Sequence, residues 1–133
     1  MGSSAYSADE TQKQAAGARA AADWLVLLDN GKYGDAWKQL SPSQKPGTNK
    51  DRWQSEVGRY RHQVGKLRGR KLLSAQYTTK LPGSDEEGDY VIATFASGFE
   101  KLGSAIETVI AQLLPGGQWV ISGYDIKPAD VTD

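Results

Sequence analysis

His62 is the only histidine in the chain, so a histidine-based metal site would need carboxylates for its other ligands. No spaced cluster of His or Asp supplies them. The sequence therefore implies neither a metal nor a cofactor. His62 has the chemistry of a general base in principle, but with Arg59, Arg61 and Lys66 close by it reads first as a solvated side chain on a basic helical face. Glu107 is the other candidate base, set between Ile106 and Val109 in an apolar extended run. A carboxylate on the buried side of a sheet needs a cationic partner, and Arg61 or Arg70 has the charge to serve. The pair reads either as a structural ion pair or as one wall of a pocket, and exposure of Glu107 on an open sheet face stays open as well. No residue is assigned as catalytic.

Trp24, Trp37, Trp53 and Trp119, with Tyr33 and Tyr124, have the size to wall an apolar pocket between helices and sheet, or to form the core itself. The candidate pocket residues are Trp37, Trp53, Tyr60, Arg61, Glu107, Trp119 and Tyr124. The segment from Lys50 to Lys71 holds eight of the sixteen Lys and Arg residues, opposed only by Asp51 and Glu56. Lys50, Arg52, Arg59, Lys66 and Arg68 are its candidate basic surface. Such a patch suits phosphate contacts, but Trp53 and Tyr60 share the apolar stripe of the same segment and so read as core rather than as base-stacking platforms. Nucleic acid is not the expected partner. Asp85, Glu86, Glu87 and Asp89 crowd one loop without the spacing of a calcium loop, and read as a charged turn that keeps a sheet end soluble.

These side chains must be positioned by elements whose boundaries are marked in the sequence. Ser7-Ala8-Asp9-Glu10 has the form of a capping box, which starts a helix. Ala15, Ala18, Ala22, Leu25 and Leu28 follow at spacings of three and four, until Asn30-Gly31 ends the run. The spacing predicts helices over about 8–30, 34–40 and 50–67, the second closed by Ser41-Pro42 and the third capped by Asn49. After Arg70 the period changes to two. Strands are predicted over about 70–80, 90–99, 105–114 and 118–126, with Val91, Ala93 and Phe95 on one side of the second. Ser97 and Gly98 are expected to weaken that strand's end. The polar stretch 81–89 and Pro115-Gly116-Gly117 join strands as hairpin turns. Helices first and hairpin-linked strands afterwards define an α+β fold, with N-terminal helices packed on a four-stranded antiparallel sheet.

Sixteen cationic and sixteen anionic side chains give a net charge of zero, so no overall field favours polyanions or membranes. The chain has no Cys, which removes disulfides, thiol nucleophiles and thiolate metal sites. Its longest apolar run, Trp24 to Leu28, is far short of the ~20 residues a membrane-spanning helix needs. Residues 1–7 open with Met1-Gly2-Ser3-Ser4 and read as vector-derived or disordered. One α+β domain is expected over 8–127, with a flexible tail at 128–133.

With the elements placed, Trp24-Leu25, Leu27-Leu28-Asp29, Gly31, Tyr33 and Ala36-Trp37 form a series with Trp53, Arg61, Gly65 and Arg70. Tyr90-Val91-Ile92, Phe95, Phe99, Glu107-Thr108-Val109 and Gly117-Gln118-Trp119-Val120-Ile121 continue it to Gly123-Tyr124. From about Ala15 to Ile126 the chain resembles the bacterial family known as domain of unknown function 4019. The resemblance implies a small bacterial protein, periplasmic or secreted, since many members follow a signal peptide. It also implies a cone-shaped fold similar to nuclear transport factor two, or cystatin-like. It carries over no catalytic residue. The resulting expectation is a non-enzymatic binding module for a protein partner or a small apolar ligand, as a monomer or weak dimer. The alternatives are a small enzyme using Glu107 or His62, with Tyr60 or Tyr124 as acid, and polyanion binding through 50–71.

Overall fold

The computed structural model describes residues 7–45 and 49–129. Residues 1–6 of the stretch 1–7 expected to be vector-derived or disordered, residues 46–48 of the predicted loop and residues 130–133 of the expected tail at 128–133 lie outside them. Ser7 caps the first helix, Pro128 ends the last strand and Ala129 donates to the Ser104 carbonyl. Three helices precede four strands: α1 (Ala8–Asp29), α2 (Tyr33–Lys38), α3 (Lys50–Val64), β1 (Leu67–Lys80), β2 (Glu87–Phe99), β3 (Gly103–Leu113) and β4 (Trp119–Pro128). The strands form one antiparallel sheet in the order β1-β2-β3-β4, and the helices pack on one of its faces.

α1 begins where the capping box places it. The Ser7 hydroxyl accepts from the Glu10 amide at 3.1 Å, and the Glu10 carboxylate accepts from the Ser7 amide at 3.0 Å. Its buried residues are Gly17, Ala18, Ala21, Trp24, Leu25 and Leu28. The predicted stripe shared three of these, but Ala15 is exposed and Ala22 only half-buried. The helix is rotated instead so that Gly17 lies on β2 and Trp24 points into the core. A Cβ at Gly17 would stand 2.4 Å from Val91 Cγ2, so the missing side chain is what lets α1 approach the sheet.

The helix ends differ from expectation for identifiable reasons. α2 stops at Lys38 rather than at 40, because Gln39 and Ser41 turn to the sheet: Ile121 donates to the Gln39 carbonyl at 2.8 Å, and Ser41 donates to the Ile121 carbonyl at 2.8 Å. α3 starts on Asn49, whose side chain accepts from the Arg52 amide at 2.7 Å. It ends at Val64 rather than at 67. Gly65 has φ of 85°, and the Val64 carbonyl takes the amides of Lys101 and Leu102, docking the β2–β3 turn under the helix end. Leu67 is then free to open β1 opposite Phe99. β2 begins at Glu87, three residues before expectation, because Glu87 pairs with Lys80. Ser97 and Gly98 do not weaken its end: β2 continues to Phe99, and Ser97 is buried.

Trp24, Leu25 and Leu28 of α1 sit over Ala93 and Phe95 of β2, Val109 and Ala111 of β3 and Ile121 of β4. A second cluster joins Val64 of α3 to Phe99 and Ala105, with Tyr60, Leu67, Leu102 and Ile126 around it. Burial of each large apolar side chain contributes about 1.5–3 kcal/mol, and α3 is held by this second cluster together with its Trp53 and Val57, which pack against the first. No helix among the described residues is long and apolar enough to cross a membrane.

Candidate functional site

Strand register places the polar centre. Phe95 pairs with Glu107 and Ser97 with Ala105, so Ser97 and Glu107 are diagonal neighbours on the helix-covered face. Arg70 stands opposite Ser97 on β1, and Asp29 ends α1 directly above. Glu107 is fully buried. Its Oε1 accepts from Arg70 Nε at 2.8 Å and from Ser97 Oγ at 2.5 Å, and its Oε2 accepts from Tyr124 Oη at 2.5 Å. Arg70 grips Asp29 with both terminal nitrogens, at 2.7 and 3.0 Å. Arg61 Nη2 donates to the same carboxylate at 2.6 Å. Two cations and two anions thus balance inside the molecule, and each carboxylate has several donors, the condition under which buried charge is tolerated.

The protonation states follow from this geometry. Burial pushes Asp29 up, but hydrogen bonds and charge from Arg70 and Arg61 outweigh it and hold the carboxyl below its ordinary value. Burial would lower Arg70, yet its bonds to Asp29 and the charges of Glu107 and Asp29 keep it raised. Tyr124 is pushed up, first by burial and then by the charge and hydrogen bond of Glu107. Its phenol therefore stays protonated and donates to Glu107 throughout the neutral range.

Two clefts flank this centre, and Arg61 lines both. The first, of about 360 Å³, lies between α3 and the starts of β1 and the β2–β3 turn, with His62, Lys66, Glu100 and Lys101 on its walls. The second, of about 350 Å³, lies between α3 and β4 and is lined by Trp53, Val57, Tyr60, Arg61, Tyr124 and Ile126, with Glu56 and Asp125 also contributing. Four of the seven predicted pocket residues, Trp53, Tyr60, Arg61 and Tyr124, meet in this second cleft. Glu107 does not open into it, but lies one hydrogen bond beneath, behind the Tyr124 hydroxyl. Trp37 and Trp119 are not brought there. Trp37 packs against the core with Lys45 Nζ 5.0 Å above its ring, and Trp119 reaches toward Gly17 at the opposite end of β4. Residue type identified all four tryptophans as large apolar groups, but only the helix rotations and strand register separate them.

His62 is exposed on the wall of the first cleft, so the two candidate bases share no cavity. The basic surface is thinner than its sequence count suggests. Arg52, Arg59, Lys66 and Arg68 are exposed and Lys50 partly so, whereas Arg61 and Arg70 turn inward to the buried carboxylates. Arg52 also pairs with Glu56 at 3.4 Å. Of the acidic residues expected in the turn, Glu87 and Asp89 lie in β2, and Asp89 turns back to Lys13 at 3.3 Å and to the Tyr77 hydroxyl. No group of three or more His, Cys, Asp or Glu side chains among the described residues is arranged to hold a metal ion.

Asp29 was not among the predicted site residues, although a signal existed. It is an acidic residue at a helix C-terminus, where the helix dipole repels it, and the last turn of α1 contains no basic residue. Such a carboxylate needs cations from elsewhere in the fold, and Arg61 and Arg70 supply them. Ser97 carried a signal too, in its alternation with Val91, Ala93 and Phe95.

Fold and centre together define an α+β protein with an open antiparallel sheet, a neutral buried ion network and an aromatic cleft beside it. The chain belongs to the family described as protein of unknown function (DUF4019), whose model matches residues 20–124. No curated protein and no solved structure matches the chain.

Proposed function

We propose that the protein is a binding module whose ligand-contacting surface is the cleft between α3 and β4. The observation that carries this reading is the convergence of Trp53, Tyr60 and Tyr124 with Val57 and Ile126 around one concavity. Apolar and aromatic walls with a few fixed polar groups are the usual chemistry of a binding cleft. The polar groups here are the Tyr124 hydroxyl, bonded to Glu107, and the Arg61 guanidinium, bonded to Asp29 through Nη2 while its buried Nη1 has no hydrogen-bond partner among the described residues. Both hold the walls in place rather than exchange protons. Glu107 is closed off from the cleft and saturated with donors, which favours binding over general-base chemistry.

Titration with indole, followed by two-dimensional amide NMR, tests the reading. Saturable shifts confined to Trp53, Val57, Tyr60 and residues 124–126, abolished in a folded Trp53→Ala variant, would support it. Shifts spread over the surface without saturation would sink it. The export expected from the family resemblance accompanies this proposal, and cell fractionation that found the native protein only in the cytoplasm would remove it.

A further inference from the structure

The hydrogen-bond alternation of β4 fixes which of its backbone groups face outward. At the β3–β4 turn, Leu114 donates to the Gln118 carbonyl at 2.8 Å, and at the far end Ala129 donates to the Ser104 carbonyl at 2.9 Å. Counting inward from both bonds through the register, Ile110, Thr108 and Ile106 exchange bonds with Gly123, Asp125 and Lys127. The irregularity between Ile110 and Ala111, where Ser122 is the extra residue, makes the two counts agree. Ile121, Tyr124 and Ile126 therefore turn their N–H and C=O groups away from β3, and Pro128, which has no N–H, occupies the next outward position.

Part of this edge is already in use. Gln39 and Ser41 bond Ile121 as a two-residue parallel strand, after which Pro42 takes the chain away. Beyond that point the outward groups of Tyr124 and Ile126 have no partner among the described residues. They lie on the rim of the cleft whose walls are Trp53, Val57 and Tyr60.

We propose that an extended peptide adds to β4 at Tyr124 and Ile126, in line with the 39–41 segment, and seats an apolar or aromatic side chain in the α3–β4 cleft. This deepens the binding-module reading and rests on it. Strand addition draws affinity from main-chain bonds and selectivity from pockets for alternate side chains, and both elements are present on one edge. Arg52 already pairs with Glu56, but Asp125, between Tyr124 and Ile126, is exposed on the other face of the sheet, so the peptide carries a basic residue flanking the apolar one and turned to that face. β1, the other edge, is less suited. It is interrupted by irregularities at Leu67/Gly69, Leu72/Ser74 and Thr78/Lys80, and its Tyr77 amide is covered by the Gln14 side chain at 3.0 Å.

The test uses a capped octapeptide of alternating Val and Thr with one central Trp and a Lys at each end. A second peptide is identical but N-methylated at alternate backbone nitrogens. With the full chain, the first peptide should shift residues 121–128 saturably and slow amide exchange at Tyr124 and Ile126 at least tenfold. The methylated peptide should bind at least tenfold more weakly, because it keeps the side chains and loses main-chain donors. If indole maps to the cleft but neither peptide protects those two amides, strand addition is wrong while the cleft reading survives. If neither indole nor peptide binds, both fail. Protection of Tyr124 and Ile126 that grows with protein concentration in the absence of peptide, together with a dimer by light scattering, would make a second copy the occupant and overturn the peptide assignment.

Discussion

The Tyr124 hydroxyl donates to Glu107 across 2.5 Å, while its ring packs edge-on against Trp24 with centroids 5.3 Å apart. One side chain thus closes the buried ion network, contacts the helical core and forms part of the cleft. The cleft wall inherits its position from the network beneath it, because Tyr124 can move only by breaking a bond to a fully buried carboxylate.

Tyr124→Phe should keep the ring contact and lose the bond, at a cost of about 1.5–3 kcal/mol for a hydrogen bond to a charged group. The difference between the proteins should depend on pH. The folded phenol titrates above its ordinary 10.0, so the wild-type advantage is complete below pH 10 and declines as pH rises beyond it. Urea midpoints of both proteins from pH 8 to 11 check this. A constant difference across that range would mean that the bond contributes nothing specific.

Asp29 behaves in the opposite sense. Its folded carboxyl lies below the ordinary 3.8, so its ionised form stabilises the fold above about pH 4, and this contribution is lost as pH falls below that value. Asp29→Asn should cost about 3 kcal/mol at pH 7, within the range for breaking a buried pair. The gap to wild type should narrow from pH 4 to pH 2. Chemical denaturation of both proteins across that range measures the narrowing directly.

The elements that were legible in the sequence are those whose signals are local. Ser7 and Glu10 satisfy each other's backbone within one turn, Asn49 caps α3 from the adjacent position, and Gly65 stops it with a positive φ, although the helix ends three residues earlier than the apolar stripe suggested. The period of two in β2 was legible because both hydrogen-bonding neighbours are present and its buried residues alternate strictly from Val91. What stayed hidden depends on distant chain segments. The grip of Arg70 and Arg61 on Asp29 joins residues 41 and 32 positions apart, and the outward turn of Tyr124 and Ile126 depends on a single extra residue in β4. The separation of Trp53 from Trp37 and Trp119 likewise depends on how α1 and α3 sit on the sheet.

Glu107 should be the most sensitive position of the polar centre. Glu107→Leu leaves Arg70 with Asp29 as its one anionic partner, beside the Ser97 hydroxyl at 3.2 Å, and removes the acceptor from both Ser97 and Tyr124, which should cost about 3–5 kcal/mol. Glu107→Gln keeps the shape and one acceptor oxygen and should cost less. Thermal and urea unfolding of the two variants should rank them in that order. Equal stability of the leucine variant and wild type would show that the network contributes specificity of packing but no net stability.

Gly17→Ala sets helix propensity against packing, and the distances decide which wins. Alanine in a helix interior gains about 1 kcal/mol over glycine. Its Cβ, however, would stand 2.4 Å from Val91 Cγ2 and 2.6 Å from Val91 Cβ, closer than packed carbons tolerate, and Val91 is fully buried in a central strand with no room to retreat. Overpacking of this kind costs about 1–3 kcal/mol, so the variant should be destabilised despite its better helix former. Val91→Ala on its own should also destabilise the protein, by leaving a cavity. The double variant removes the 2.4 Å clash with Val91 Cγ2 but keeps the 2.6 Å one with the Cβ that alanine retains, so relief is partial and the two changes should cost only somewhat less together than the sum of each alone. A double-mutant cycle by urea denaturation measures this coupling. Strict additivity would show that α1 moves away from β2 to admit the methyl group, and that Gly17 does not set the distance between helix and sheet.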